Sequence, residues 1–168
     1  MSFFSVVIPL YNKEDQIKNT LETVLSQNFT DFEVVIIDDG STDASFSIVN
    51  DFSDPRIKIF QQENSGAASA RNAGVDKAKS KYIALLDADD AWKKNHLEEI
   101  YKSIKLFPEA SFYCNAYQLK LQDNFIHNAS FELEDLNNIQ VIEDYFKASV
   151  IHPLAMTSGV AFTKKSFL

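Results

Sequence analysis

Short, almost wholly apolar runs alternate with amphipathic stretches through the first two thirds of the chain. Val6-Val7-Ile8-Pro9-Leu10 has the composition of a strand buried on both faces. Beyond it, Ile17, Leu21, Val24 and Leu25 fall at i, i+4, i+7 and i+8, one face of a helix. Asn12 offers that helix an N-cap, with Glu14 and Asp15 in its first turn. A second unit repeats the plan, with a strand from Phe32 to Ile37 around Glu33. Asp39-Gly40-Ser41 then turns into a helix carrying Ile48, Val49 and Phe52. Pro55 breaks the chain before a third strand, Ile57 to Phe60, and a small-residue helix runs from about Ala67 to Lys79. Tyr82 to Leu86 reads as the fourth strand. Leu97, Ile100, Tyr101 and Ile104 mark the next helical face, which Pro108 ends. Regular alternation of apolar strands with helices predicts an α/β fold, a mostly parallel sheet with helices on both faces.

After about Ser111 the periodicity weakens. Phe112 to Leu121 reads as a long strand, Ile142 to Ala148 as a short helix and Ser158 to Thr163 as another strand. Asp123 to Asn138 is polar, acidic and aperiodic, and reads mostly as loop. No internal repeat or composition break divides the chain, so residues 1–168 are expected to form one domain.

Composition narrows the function. A chain of 168 residues, 45% hydrophobic and 24% charged, has the makeup of one globular domain. A net charge of −8 without any Lys/Arg tract argues against nonspecific nucleic-acid binding, which requires phosphate neutralisation. If so acidic a protein binds a phosphorylated ligand, a divalent cation is the natural offset to the repulsion. Cys114 is the single cysteine, so an intrachain disulfide is excluded. The N-terminus lacks a basic segment ahead of its apolar run, and no apolar stretch reaches the roughly 20 residues of a membrane span. A soluble cytoplasmic protein is the expectation. With glycines at positions 40, 66, 74 and 159 alone, no Gly-x-Gly-x-x-Gly, P-loop or Gly-x-Ser-x-Gly elbow exists. His96, His127 and His152 lack a metal-ligand spacing; His96 reads as helix surface and Cys114 as core.

Polar clusters end three of the strands: Tyr11 and Asn12, Asp38 and Asp39, and Asp87 to Asp90. In open parallel sheets ligands bind beyond those ends, so clusters far apart in sequence can share one crevice. Asp87-Ala88-Asp89-Asp90 brings together carboxylates that repel unless a cation or proton relieves them; the structural alternative is that Asp89 or Asp90 caps the helix near Trp92. Asp38 and Asp39 allow a structural turn, or a carboxylate that accepts a base N–H, with Asp39 the better ligand contact. Tyr11 is either an edge aromatic or a ring on which a nucleobase stacks. Arg71, among small neighbours on its helix, either pairs with a nearby carboxylate or reaches a base carbonyl or diphosphate.

In combination these residues resemble family 2 glycosyltransferases of the GT-A fold. The matching blocks are Val7-Ile8-Pro9-Leu10-Tyr11-Asn12, Ile37-Asp38-Asp39-Gly40-Ser41-Thr42-Asp43, Asn64-Ser65-Gly66 through Ala70-Arg71-Asn72-Ala73-Gly74, and Leu86-Asp87-Ala88-Asp89-Asp90. Four blocks in this order and spacing make a specific signal over about the first ninety residues. Ser158 to Phe167 is similar to the strand and turn that precede the family's acceptor region.

The resemblance implies a Rossmann-like GT-A fold and inverting transfer of a sugar from a nucleoside diphosphate donor, expected to be a UDP-sugar, to a saccharide or lipid-linked acceptor. By carry-over, Pro9 and Tyr11 line the base pocket and Asp39 accepts the base N–H. Arg71 helps hold the base or diphosphate, Asp87 lies near ribose and metal, and Asp89 ligates Mg²⁺ or Mn²⁺. The donor part is expected over about 1–110 and the start of the acceptor side over about 111–168. The family usually places its general base after the segment matching Thr163 to Leu168, so the resemblance implies a truncated, donor-binding fragment whose catalytic base is unassigned; Glu143-Asp144 falls too early. It also allows peripheral attachment to the inner membrane face. The alternatives are a non-catalytic nucleotide-sugar-binding module and a sugar nucleotidyltransferase; the latter's Gly-rich basic loop is absent.

Overall fold

The computed structural model describes residues 1–115, 118–120, 126–128, 139 and 156–167. β1 (Phe4–Leu10) and β2 (Phe32–Asp38) are buried along their whole length, which is why neither shows hydrophobic–polar alternation. They run parallel, Phe4 opposite Phe32 and Leu10 opposite Asp38. β3 (Ile57–Gln61) extends the sheet beyond β2, and β4 (Tyr82–Leu85) pairs with the free side of β1, both parallel. β5 (Phe112–Cys114) lies at the far edge of this sheet. β6 (Gln118–Lys120) and β7 (Ile126–Asn128) make a separate antiparallel ribbon. β8 (Val160–Thr163) inserts between β4 and β5, antiparallel to both, giving the order β3-β2-β1-β4-β8-β5.

The chain steps from β1 outward to β3, then returns to the other side of β1 as β4. Such a reversal opens a crevice beyond the carboxyl ends of the two strands that flank it.

Four helices connect the parallel strands: α1 (Ile17–Leu25), α2 (Ser45–Asn50), α3 (Ala67–Lys77) and α4 (His96–Leu106). Ile17 and Leu21 of α1, Val49 of α2, and Leu97 and Ile100 of α4 pack on Phe4, Val6, Ile8, Val34 and Ile36, one face of the sheet. Each such fully buried aliphatic side chain contributes about 1.5–3 kcal/mol. α3 covers the opposite face, setting Ala70 and Val75 against Val7, Val35, Ile37 and Ile83. Its small residues let it lie close: a Cβ added at Gly74 would stand 2.3 Å from Cγ1 of Val7. That approach sets the position of Arg71, one turn earlier on α3. Among the described residues no helix is long and apolar enough to cross a membrane.

Several boundaries depart from the sequence expectations. α1 begins at Ile17, so Asn12 is not its N-cap and Glu14 and Asp15 precede its first turn; these side chains sit in a loop bonded to a neighbouring loop instead. α4 begins at His96 behind Asn95, so neither Asp89 nor Asp90 caps it. The long strand from Phe112 to Leu121 is divided, because β5 and β6 belong to different sheets. The expected loop from Asp123 to Asn138 contains the strand β7. The strand expected from Ser158 begins at Val160, after a 3₁₀ turn over Thr157–Gly159. The expected helix from Ile142 to Ala148, Glu143-Asp144 included, lies outside the described residues.

Candidate functional site

The loops that follow β1 and β2 are bonded to each other. Asn12 adopts a left-handed φ of 49°, a conformation that a short polar side chain tolerates better than most. Its Oδ1 accepts the N–H of Thr42 at 2.8 Å, and its own N–H donates to Oγ of Ser41 at 3.1 Å. The N–H of Lys13 donates to Oγ of Ser45 at 2.7 Å. Glu14 donates its N–H to Asp43 and accepts the N–H of Ala44 at 2.8 Å. Burial tends to raise the Asp43 carboxyl, but hydrogen bonds from Ser45 and from the Glu14 N–H outweigh it and hold the group below its ordinary value. The cross-links fix the backbone around Tyr11, whose ring stands 46% exposed at the cleft.

The two aspartates that end β2 do different work. Asp38 is fully buried and accepts from the N–H of Ser41 and from Nε2 of Gln61, which holds the turn. Asp39 reaches the loop after β3, accepting Nε2 of Gln62 at 2.7 Å, the N–H of Ser65 at 3.0 Å and the N–H of Gly66 at 2.8 Å. A carboxylate has about four acceptor positions, so three donors leave Asp39 one more.

A cleft of about 330 Å³ opens among these loops, and Pro9, Tyr11, Asp39, Arg71, Asp87 and Asp89 all line it. The six residues singled out from sequence therefore share one cavity. Two ion pairs cross it. Nη2 of Arg71 lies 2.5 Å from Oδ1 of Asp87, and Nζ of Lys13 lies 2.7 Å from Oδ2 of Asp89. The carboxylates remain open to solvent, 28% for the Asp87 side chain and 43% for Asp89. Nε of Arg71 is buried without a hydrogen-bond partner among the described residues. The cleft thus offers a ring, carboxylates and two cations around space large enough for a polar ligand.

The segment that carries Asp87 to Asp90 is held by a residue from much later in the chain. Ser158 accepts the N–H of Asp87 on its Oγ at 2.9 Å and donates the same hydroxyl to the Asp90 carboxylate. Its carbonyl accepts Nε1 of Trp92. Asp90 is therefore a loop anchor. Trp92 in turn stacks on His96 with ring centroids 4.2 Å apart. His96 is buried at 9% exposure, contrary to its reading as helix surface, because the Trp92 ring and the Asn115 side chain enclose it. Burial pushes its imidazole down to about 4. Cys114 is half-buried beside the α3-side core, and burial raises its thiol.

Lys13 and Ser158 are contributors to which sequence reasoning gave no role, and Asn64 entered it only as part of a matching block. Lys13 had a signal, since it stands two residues after Tyr11 in a strand-end loop. Ser158 had none, because its partner lies 71 positions away. A second hollow, of about 380 Å³, is lined by Leu85, Phe112, Val160, Phe162 and Phe167. Among the described residues no carboxylate or cation lines it, so the polar cleft is the better ligand site.

The model of the family described as glycosyl transferase family 2 matches residues 5–165. The chain belongs to this family. Among its family 2 relatives, the putative teichuronic acid biosynthesis glycosyltransferase TuaG of Bacillus subtilis is 41% identical over 133 residues, 73% of this chain and 52% of that protein. Glycosyltransferase GlyA of Streptococcus pneumoniae is 28% identical over 161 residues, 92% of this chain and 23% of GlyA. The minor teichoic acid biosynthesis protein GgaA of Bacillus subtilis is 36% identical, covering 95% of this chain and 39% of GgaA. The chain thus spans about half or less of the length of these relatives. Its fold is that of S. aureus TarS 1–349 solved with UDP-GlcNAc, at a TM-score of 0.78, 24% identity, and coverage of 98% of this chain and 46% of that one. TarS 1–349 in complex with UDP aligns at 28% identity and a TM-score of 0.68, over 79% of this chain and 40% of TarS. The architecture is accordingly the GT-A fold of nucleotide-sugar glycosyltransferases.

Proposed function

We propose that the cleft binds a nucleoside diphosphate sugar, with uridine as the nucleoside, and that the protein transfers the sugar with inversion to an acceptor hydroxyl. The observation that carries this reading is the convergence of Pro9, Tyr11, Asp39, Arg71, Asp87 and Asp89, drawn from the end of β1, three separate loops and a helix, on one cavity at the reversal of strand order. The 28% identical TarS structure with UDP supports the choice of nucleotide. The surface-polymer relatives TuaG and GgaA support a saccharide or lipid-linked acceptor of that class.

In this reading Tyr11 offers its exposed ring to the base beside Pro9. Asp39 uses its remaining acceptor position for the base N–H while its other oxygen positions hold the loop from Gln62 to Gly66. Arg71 turns its guanidinium from Asp87 toward the diphosphate, where a planar, charge-assisted contact is strongest. Water displaced from the cleft by a bound ligand lowers the local dielectric and strengthens each of these charge contacts.

The donor set suits a hard divalent cation: Asp87 and Asp89 present solvent-open carboxylate oxygens. Among the described residues no group of three or more metal-ligating side chains occurs. Magnesium or manganese sites that take phosphate commonly use one or two carboxylates, with phosphate and water completing the shell. Asp89, with Asp87 beside it, would hold the ion. When bound, Mg²⁺ or Mn²⁺ supplies positive charge to the departing diphosphate. Inverting transfer also needs a general base to take the proton of the acceptor hydroxyl as it attacks the anomeric carbon.

Calorimetric titration of UDP with and without Mn²⁺, on the wild type and on Asp89→Ala, tests the reading. Metal-dependent binding that Asp89→Ala removes is the expected result. Failure of UDP, GDP and dTDP alike to bind at millimolar concentration would sink it.

A further inference from the structure

Lys13 lies outside every motif quoted above, yet its side chain spans the cleft. Its backbone is fixed at both ends: the N–H donates to Ser45, and the carbonyl accepts the N–H groups of Gln16 and Ile17 at 3.1 and 2.9 Å. From this anchored position the ammonium reaches from the end of β1 to the loop after β4 and meets Oδ2 of Asp89 at 2.7 Å. Arg71 does the same to Asp87 from α3. The two solvent-open carboxylates of the loop after β4 are therefore each neutralised by a cation of the chain itself.

A divalent ion that arrives alone at Asp89 must compete with an ammonium for the same oxygen, while the neighbouring Asp87 carboxylate is already paired with Arg71. A diphosphate changes the balance. It gives the ammonium a second anionic partner, and it adds oxygen ligands that repay the ion for the water it sheds. We propose that Lys13 is an internal counter-ion that makes metal binding at Asp89 conditional on the diphosphate: it closes Asp89 to the metal alone and passes to the diphosphate oxygens when the nucleotide arrives. The inference rests on the assignment of Asp89 as the metal-holding residue. Lys13 acts here as a positioning residue, through Asp89 and the diphosphate.

The test is Mn²⁺ titration followed by the paramagnetic resonance signal of the free ion, with and without UDP, on wild type, Lys13→Met, Lys13→Arg and Asp89→Ala. Methionine keeps the length of the side chain and leaves the backbone bonds in place, so an unchanged melting curve verifies the fold. Lys13→Met is expected to bind Mn²⁺ alone about two- to fivefold more tightly than wild type, the range for loss of a part-exposed ion pair. Its gain in Mn²⁺ affinity on adding UDP is expected to shrink about tenfold, as one charged hydrogen bond is lost. Lys13→Arg should keep the wild-type pattern. Wild-type affinity for Mn²⁺ alone in Lys13→Met, together with loss of the site in Asp89→Ala, would overturn the inference and spare the donor-site reading. Mn²⁺ binding with UDP that survives Asp89→Ala, or that is absent in wild type, would remove the metal assignment and this inference with it.

Discussion

The carboxylate of Asp39 receives the backbone N–H of Gly66 at 2.8 Å, which ties the end of β2 to the start of α3. Gly66 itself has a φ of 88°, so the loop turns here through a conformation suited to glycine. Asp39→Ala removes the acceptor for three donors at a residue only 2% exposed. The expected result is a loss of about 2–3 kcal/mol in urea unfolding. A drop in UDP affinity of tenfold or more, about 1.4 kcal/mol, is expected with it. Unchanged UDP affinity in a folded variant would show that the loop does not shape the base pocket.

The contact between Gly74 and Val7 offers a second test. An added Cβ meets the side chain of a central strand at 2.3 Å, so Gly74→Ala must push α3 away from the sheet. Overpacking of this kind costs about 1–3 kcal/mol. Because Arg71 rides on the same helix, UDP binding should weaken as well, and the paired variant Gly74→Ala with Val7→Ala should recover part of both losses.

Glu33 separates stability from binding. It lies at the amino end of β2, away from the cleft, and accepts Oγ of Ser5 at 2.7 Å, Nζ of Lys58 at 2.6 Å and the N–H of Lys79 at 2.7 Å. Burial acts to raise its carboxyl, yet the bonds from Lys58, Ser5 and Lys79 hold it below its ordinary value. Glu33→Ala leaves the Ser5 hydroxyl and the Lys79 N–H without their acceptor, while Lys58 can turn to solvent, and should cost about 2 kcal/mol. UDP affinity should stay within about twofold, since distant sites couple weakly.

Acid should act through His96. The folded imidazole stays neutral down to about 4 against an ordinary value of 6.5, so below 6.5 the unfolded chain binds the proton and the folded chain does not. Stability is therefore full above pH 6.5 and falls as pH drops toward 4, by about 3 kcal/mol in all. Urea midpoints measured from pH 7 to pH 4 should trace this loss. His96→Phe, which keeps a ring against Trp92, should flatten it through the upper part of that window, where carboxylates contribute little.

The elements that were legible in sequence share a cause. β1 and β2 stand out because both faces of the sheet are covered, which demands unbroken apolar runs. The cleft residues stand out because alternating strands and helices gather the strand ends, wherever they lie in sequence. What sequence misplaced depends on partners from afar. Asn12-Lys13-Glu14-Asp15 has the look of a helix start, but Asn12 and Glu14 bond to the loop from Ser41 to Ala44. Asp90 resembles a cap until Ser158 takes its carboxylate. His96, with Asn95 before it and Glu98 two residues on, has a polar neighbourhood in sequence, and its burial follows from Trp92 and Asn115. The break between β5 and β6 falls beside that same Asn115, whose amide turns toward His96.

The bond from Ser158 to the loop after β4 has a bearing on biosynthesis. A nascent chain that has left the ribosome through α4 can already assemble the array β3-β2-β1-β4, since every strand in that set has been made. It cannot yet hold Asp87 and Asp90, because their clamp is encoded about seventy codons later. The parallel part of the sheet is thus in place well before the pocket is, and the last strand to join the sheet, β8, begins two residues after the serine that finishes that pocket.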